Sequence, residues 1–277
     1  MRSHQGSKRV VIAAMALLMS IGLVQPAGAI LEGTDDTTNR FESVGMLQAQ
    51  VDPGEWAAFC SGTLVAPDVV LTAAHCTDFF TAPVGGAGFG PDDLRVSFDV
   101  APDENSTYYV ADHIVVHPGW LTAPPCKGNS KHLCLASPAE DIALIFLRET
   151  VTGVTPSPIA GPGYLDELDV TSETFTVVGY GTDDFIKGSA LSPNQVTVVD
   201  GVRSYREITA INTHDAFPDR FLKVTAGVCF GDSGGPMFHD GTIVALNTWT
   251  FSLRCTGPNL QYRTDSAIAQ AFLDANL

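Results

Sequence analysis

Basic residues are scarce in this chain: 15 Lys and Arg stand against 31 Asp and Glu, a formal charge of −16. A surface of that sign repels phosphate backbones and anionic headgroups, so neither nucleic acid nor a membrane surface is expected as a partner. Long apolar stretches are scarce too. The run at residues 10–24 is too short to span a bilayer, and no other stretch approaches the length a spanning helix needs. No Cys-x-x-Cys pair occurs, so neither a metal site nor a cofactor is expected. Helical periodicity is missing until Ser266 to Leu277, where Ile268, Phe272 and Leu273 mark one apolar face. What remains is a chain built mainly of strands.

The N-terminus has a clear pattern. Arg2, Lys8 and Arg9 precede the apolar run, and Gln25-Pro26-Ala27-Gly28-Ala29 follows with small residues of the A-x-A type. Residues 1–29 read as a secretory signal peptide cleaved after Ala29, which places the mature protein outside the cell. Six cysteines in an exported chain suggest three disulfides, and their connectivity is open at this point. Short strand-like runs recur at Val69-Val70-Leu71, Leu94 to Phe98, Tyr108 to Val110, Ile142 to Leu147, Phe175 to Val178, Val196 to Val199 and Ile243 to Leu246. A Pro- and Gly-bearing stretch, 151–163, divides a first half (30–150) from a second (164–264), with the helix at 265–277. His113 and His117 lack motif partners and read as structural, and Pro118 suits a strand end.

The chemistry is concentrated in three places. Residues 229–236 read Cys-Phe-Gly-Asp-Ser-Gly-Gly-Pro, a serine set among glycines that permit a tight turn. A serine hydroxyl needs a base to take its proton and N–H groups to hold the oxyanion it creates. Leu71-Thr-Ala-Ala-His75-Cys76 supplies a histidine, and Asp141-Ile142-Ala143-Leu144 an aspartate. The chain order His, Asp, Ser and the flanking residues resemble the trypsin/chymotrypsin family of serine endopeptidases. The resemblance implies two antiparallel six-stranded β-barrels followed by the C-terminal helix, an all-β fold. It implies that Ser233 attacks a peptide carbonyl, that His75 relays the proton, and that Asp141 orients His75. The N–H groups of Gly231 and Ser233 would bind the oxyanion, and Gly179-Tyr180-Gly181 resembles a Gly-Trp-Gly of the family.

The resemblance extends to activation and specificity. A new N-terminal Ile30 would insert its ammonium against Asp232, and here signal cleavage itself would create that end, with no separate propeptide. The implied disulfides are Cys60–Cys76, Cys229–Cys255 and Cys126–Cys134. Gly227 stands where a carboxylate would select Arg or Lys, so cleavage after basic residues is not expected. Thr250 and Leu260 would narrow the pocket beside Trp249, favouring Ala, Val or Leu. Thr248 keeps a hydroxyl for Asp141. The expected partners are protein or peptide substrates and proteinaceous inhibitors of a monomer. Lys127, Lys131 and His132, inside the Cys126–Cys134 loop, would contact substrate N-terminal to the cut and favour acidic residues. Asn105-Ser106-Thr107 is a glycosylation sequon. A catalytically silent binding module and a serine esterase are the alternative readings.

Overall fold

A computed structural model describes residues 30–78, 80–81, 89–121, 140–182, 201–213, 219–250 and 255–277. The runs at Val196 to Val199 and the Cys126–Cys134 loop, with Lys127, Lys131 and His132, lie outside the described residues, as does the signal segment. The strands are β1 (Thr34–Asp35), β2 (Val44–Asp52), β3 (Glu55–Ala66), β4 (Val69–Thr72), β5 (Leu94–Ser97), β6 (Tyr109–Val116) and β7 (Ala143–Leu147) in the first half. They continue as β8 (Thr174–Gly179), β9 (Ser204–Thr213), β10 (Phe221–Val224), β11 (Pro236–His239), β12 (Thr242–Thr250) and β13 (Asn259–Arg263). A single helical turn, α1 (Pro118–Leu121), follows β6, and α2 (Ala267–Asn276) ends the chain.

Among the described residues, the named strands pair antiparallel. Strands β2-β3-β4-β7-β6-β5 close one barrel, and β8-β9-β10-β13-β12-β11 close a second through the β8–β9 pair, with β1 added along β9. Two six-stranded barrels is the architecture the motif resemblance implies. Turn chemistry sets the hairpins. Asp52 pairs with Glu55 across Pro53-Gly54, where Gly54 has φ +85°. His239 pairs with Thr242 across Asp240-Gly241, both at positive φ as a type I′ turn requires.

The continuous apolar runs have a physical reason. Successive side chains of a strand point to opposite faces, and here both faces are covered. In β4, Val70 enters the first barrel's interior while Val69 and Leu71 enter a cluster between the barrels. In β7, Ile145 and Leu147 face the first interior and Leu144 the shared cluster. In β8, Phe175 and Val177 fill the second interior while Val178 joins the shared cluster. Ala269, Phe272 and Leu273 of α2 complete that shared cluster. Ile268 is only half-buried, and Ala269 takes the place on the buried face expected for it. The Ser266 hydroxyl caps the helix, accepting the Ala269 N–H at 3.2 Å.

A fully buried cation, Arg203, links the two barrels. Arg203 pairs through Nε with Asp36 at 2.9 Å, and both side chains are inaccessible to solvent. Its Nη1 donates to the carbonyls of Val44 and Phe98 and to the Tyr180 hydroxyl, and its Nη2 donates to Asn39. A guanidinium with no water needs all these acceptors, and they come from the N-terminal segment and both barrels.

Candidate active site

His75 sits on a short 3₁₀ turn, Ala74–Cys76, directly after β4. Asp141 precedes β7, which pairs with β4, so the sheet register delivers the two residues side by side. Asp141 is wholly buried, and its two oxygens have separate duties. Oδ1 accepts the His75 backbone N–H at 3.0 Å, and Oδ2 meets His75 Nδ1 at 2.8 Å. The second contact leaves the Nε2 lone pair free when the imidazole is neutral.

Ser233 lies in the loop before β11, half-buried. Its carbonyl accepts the Ser61 N–H at 2.8 Å and lies 3.5 Å from Cys76 Sγ. That sulfur belongs to the Cys60–Cys76 disulfide and carries no hydrogen, so the approach is a packing contact. The residue next to His75 therefore touches Ser233, and the structure brings His75, Asp141 and Ser233 to one place. Cys229–Cys255 forms the second described disulfide.

The glycines around Ser233 are required by neighbours as much as by any ligand. Gly234 has φ +78°, and a Cβ there would lie 2.1 Å from Thr72 Oγ1 and 2.5 Å from the Ser61 carbonyl. Gly235 faces the Val178 carbonyl just as closely. Gly231 has φ +96°, in the region that favours glycine. Gly179 and Gly181 clasp the carboxylate of Asp232, which accepts the Gly181 N–H on Oδ1 and the Cys229 N–H on Oδ2, each at 2.8 Å. Ile30 and Asp232 are both fully buried, with the Ile30 side chain among the second barrel's core. The expected pairing with Asp232 needs an ammonium on Ile30, which exists only once the preceding peptide bond is cut.

The specificity residues take individual places. Gly227 and Leu260 are buried, whereas Trp249 and Thr250 are half-buried at the end of β12. Thr248 departs from expectation. Its hydroxyl donates to the Leu260 carbonyl at 2.8 Å, so its one proton serves β13 and is not given to Asp141. The contact lies at a bulge between Asn247 and Trp249, where the register of β12 against β13 shifts. His113 stacks on Phe146, and His117 Nδ1 accepts the Gly119 N–H, so each has a structural partner. Among the described residues, the cluster of metal-ligating types is Cys60, His75 and Cys76, and its two thiols are spent in a disulfide.

Trp249, expected at the pocket, and two residues unforeseen from sequence, Trp120 and Asp78, lie around His75. The imidazole centroid lies 5.4 Å from that of Trp249 and 6.4 Å from that of Trp120 of α1, both rings tilted against it. Trp120 donates its indole N–H to Asp78 at 2.7 Å. Burial alone would make His75 harder to protonate, but the Asp141 charge and hydrogen bond, with Asp78 adding to them, raise its pKa above the ordinary value. Glu140, one residue before Asp141, is also held. It accepts from Arg220 Nε and the Tyr262 hydroxyl, both at 2.6 Å.

The Trypsin family pattern matches residues 30–272, nearly the whole of the described chain. The chain belongs to the trypsin family. With that family it joins the serine endopeptidases, hydrolases whose substrates are proteins and peptides. It is 27% identical to a trypsin of Saccharopolyspora erythraea over 69% of this chain and 75% of that one. It is 28% identical to the vitellin-degrading protease of Bombyx mori over 79% of this chain and 76% of that one. Among solved structures, the Vibrio cholerae VesB protease superposes with a TM-score of 0.61 at 16% identity, covering 89% of this chain and 68% of that one. An inactivated protease paralogue of the scabies mite superposes with a TM-score of 0.63 at 16% identity, covering 88% and 95%. These trypsin-family folds include an inactivated one, so the fold by itself does not decide activity; the side chains must.

Proposed function

We propose that this trypsin-family chain is an active, secreted endopeptidase using His75, Asp141 and Ser233, with the N–H groups of Gly231 and Ser233 holding the oxyanion. The observation that carries the reading is the 2.8 Å contact of His75 Nδ1 with a fully buried Asp141, beside a Ser233 packed on the same disulfide. In the acylation step, neutral His75 takes the Ser233 proton on Nε2 as Oγ bonds to the substrate carbonyl carbon. The carbonyl electrons move onto oxygen, where the two N–H groups hold them. The imidazolium then gives its proton to the departing amine as the C–N bond breaks, leaving an acyl-serine. Water repeats the sequence and frees the acid.

Cleavage after small or medium apolar residues is part of this proposal. Gly227 brings no carboxylate to the pocket, and Thr250 and Leu260 put side chains at its walls, that of Leu260 apolar and buried. Release in active form by cutting after Ala29 is the other part, supported by a family match that begins at Ile30 and by the burial of Ile30 and Asp232. Among the described residues no helix is long and apolar enough to cross a membrane.

The test is labelling of the purified secreted chain with a fluorophosphonate, followed by intact mass and peptide mapping. Adduct on Ser233 of a chain starting at Ile30 is expected. Ser233→Ala should abolish the label and lower kcat by several orders of magnitude, on the order of 10⁵–10⁶. A wild-type chain that folds, begins at Ile30 and takes no label would mean a silent homologue. Hydrolysis of a p-nitrophenyl ester without casein cleavage would mean an esterase.

A further inference from the structure

We propose that Ser61 is a positioning residue that holds the oxyanion-binding backbone of the nucleophile loop in its working orientation. The inference rests on the reading of Gly231 and Ser233 as oxyanion donors. Ser61 follows Cys60 on β3, in the first barrel, yet its partners lie mostly in the second. It is entirely buried. Its Oγ accepts the Tyr180 N–H at 3.0 Å and lies 2.9 Å from the Gly231 carbonyl. A hydroxyl has one proton, and the Tyr180 N–H occupies a lone pair, so that proton goes to Gly231. The Ser61 N–H donates to the Ser233 carbonyl at 2.8 Å, and the Ser61 carbonyl accepts Thr72 Oγ1 at 2.9 Å.

One residue thus binds the carbonyls on both sides of Asp232, those of Gly231 and Ser233. This matters because Gly231, at φ +96°, has no Cβ to oppose rotation of its peptide units. Rotation would take the Gly231 carbonyl off Ser61 and strand a buried hydroxyl proton. Ser61 also spans the parts that must agree. Cys60 beside it is bonded to Cys76 beside His75, so the His75 turn and the Ser233 loop are referenced to one point. Tyr180 connects the same point to Arg203 and, through Gly181, to the clasp on Asp232.

The experiment compares wild type, Ser61→Ala and Ser61→Gly, the last leaving room for a water where the hydroxyl was. For each, kcat, KM, the Ki of a peptidyl boronate and the thermal midpoint are measured. A lost oxyanion donor typically lowers kcat by ~10²–10³, and Ser61 acts one bond removed, so a fall of about tenfold is expected. The boronate Ki should weaken by the same factor while KM stays unchanged, since only the tetrahedral adduct uses the oxyanion donors. A kcat and boronate Ki equal to wild type in folded Ser61→Ala would overturn the proposal, whereas recovery in Ser61→Gly is the rescue expected of a water in the hydroxyl's place. So would a lowered thermal midpoint accompanied by changes in KM alone. If wild type neither hydrolyses peptides nor takes the fluorophosphonate, the proposed activity fails and this inference with it; an active wild type with indifferent variants sinks this inference alone.

Discussion

At His75 opposing effects meet on one imidazole. Burial favours the neutral ring, while Asp141 first and Asp78 second favour the charged one, and the carboxylates prevail. The base must be neutral to take a proton, so a raised pKa moves the acid limb of kcat/KM above the ~6.5 of an unperturbed histidine. Asp78 contributes to the rise by charge alone, since its hydrogen bond goes to Trp120 and not to His75. Asp78→Asn keeps an acceptor for the indole and removes the charge. The acid limb should then move to lower pH with the plateau of kcat/KM retained. A limb that stays in place would show that Asp78 carries no influence on His75. His75, Asp141 and Ser233 could be picked out in the sequence because each carries a local signature. Asp78 and Trp120 could not, because their meeting joins residues 42 apart in the chain through the path of β6 and α1. Ser61 was hidden for the same reason: its partners are 119 and 170 residues away.

Among the elements, those with uninterrupted apolar residues were legible, and those with alternating or small residues were not. Residues 69–71 of β4, 144–147 of β7 and 243–246 of β12 place both faces in apolar cores, so those positions are apolar. β9 is different: Glu207, Thr209 and Ile211 face solvent between buried Ile208 and Ala210, and its sequence has no apolar run to mark it. β3 fills its middle with Cys60, Ser61, Gly62 and Thr63, small residues that leave no apolar run to mark it. The helix is a case where pattern and packing nearly agree: Phe272 and Leu273 are buried as expected, and only Ile268 yields its place to Ala269. Its first turn depends on one hydroxyl. Ser266→Ala leaves the Ala269 N–H without its acceptor and should cost about 1 kcal/mol, read as a fall in the urea midpoint at unchanged slope. Ser266→Gly should cost only a few tenths by the same measure. Equal stability of Ser266→Ala and wild type would mean that α2 is held by its apolar face alone.

For the whole molecule, a cleft enzyme of this design needs two barrels that keep their relation while loops at their contact do chemistry. The shared apolar cluster supplies the attraction, but a greasy contact tolerates sliding. Arg203 supplies direction. Its guanidinium reaches Asp36 and Asn39 of the N-terminal segment, Val44 and Phe98 of the first barrel, and Tyr180 of the second. Asp36 is itself held by the N–H groups of Arg40 and Phe41, so neither partner can turn aside. A buried pair of this kind adds little over an apolar filling, but removing one member leaves the other charge stranded, at a cost of ~3–5 kcal/mol. Asp36→Ala should therefore lower the thermal midpoint by roughly 6–20 °C for a chain of this size. Glu32→Ala removes the partner of Arg206 in an exposed pair at 3.3 Å and should change the midpoint by no more than about 1–2 °C. Because Tyr180 links Arg203 to Ser61 and the nucleophile loop, Asp36→Ala should also lose kcat below its unfolding temperature, which Glu32→Ala should not. If the two variants melt and turn over alike, the barrels are held by the apolar cluster alone and the Arg203 network does not couple to the active site.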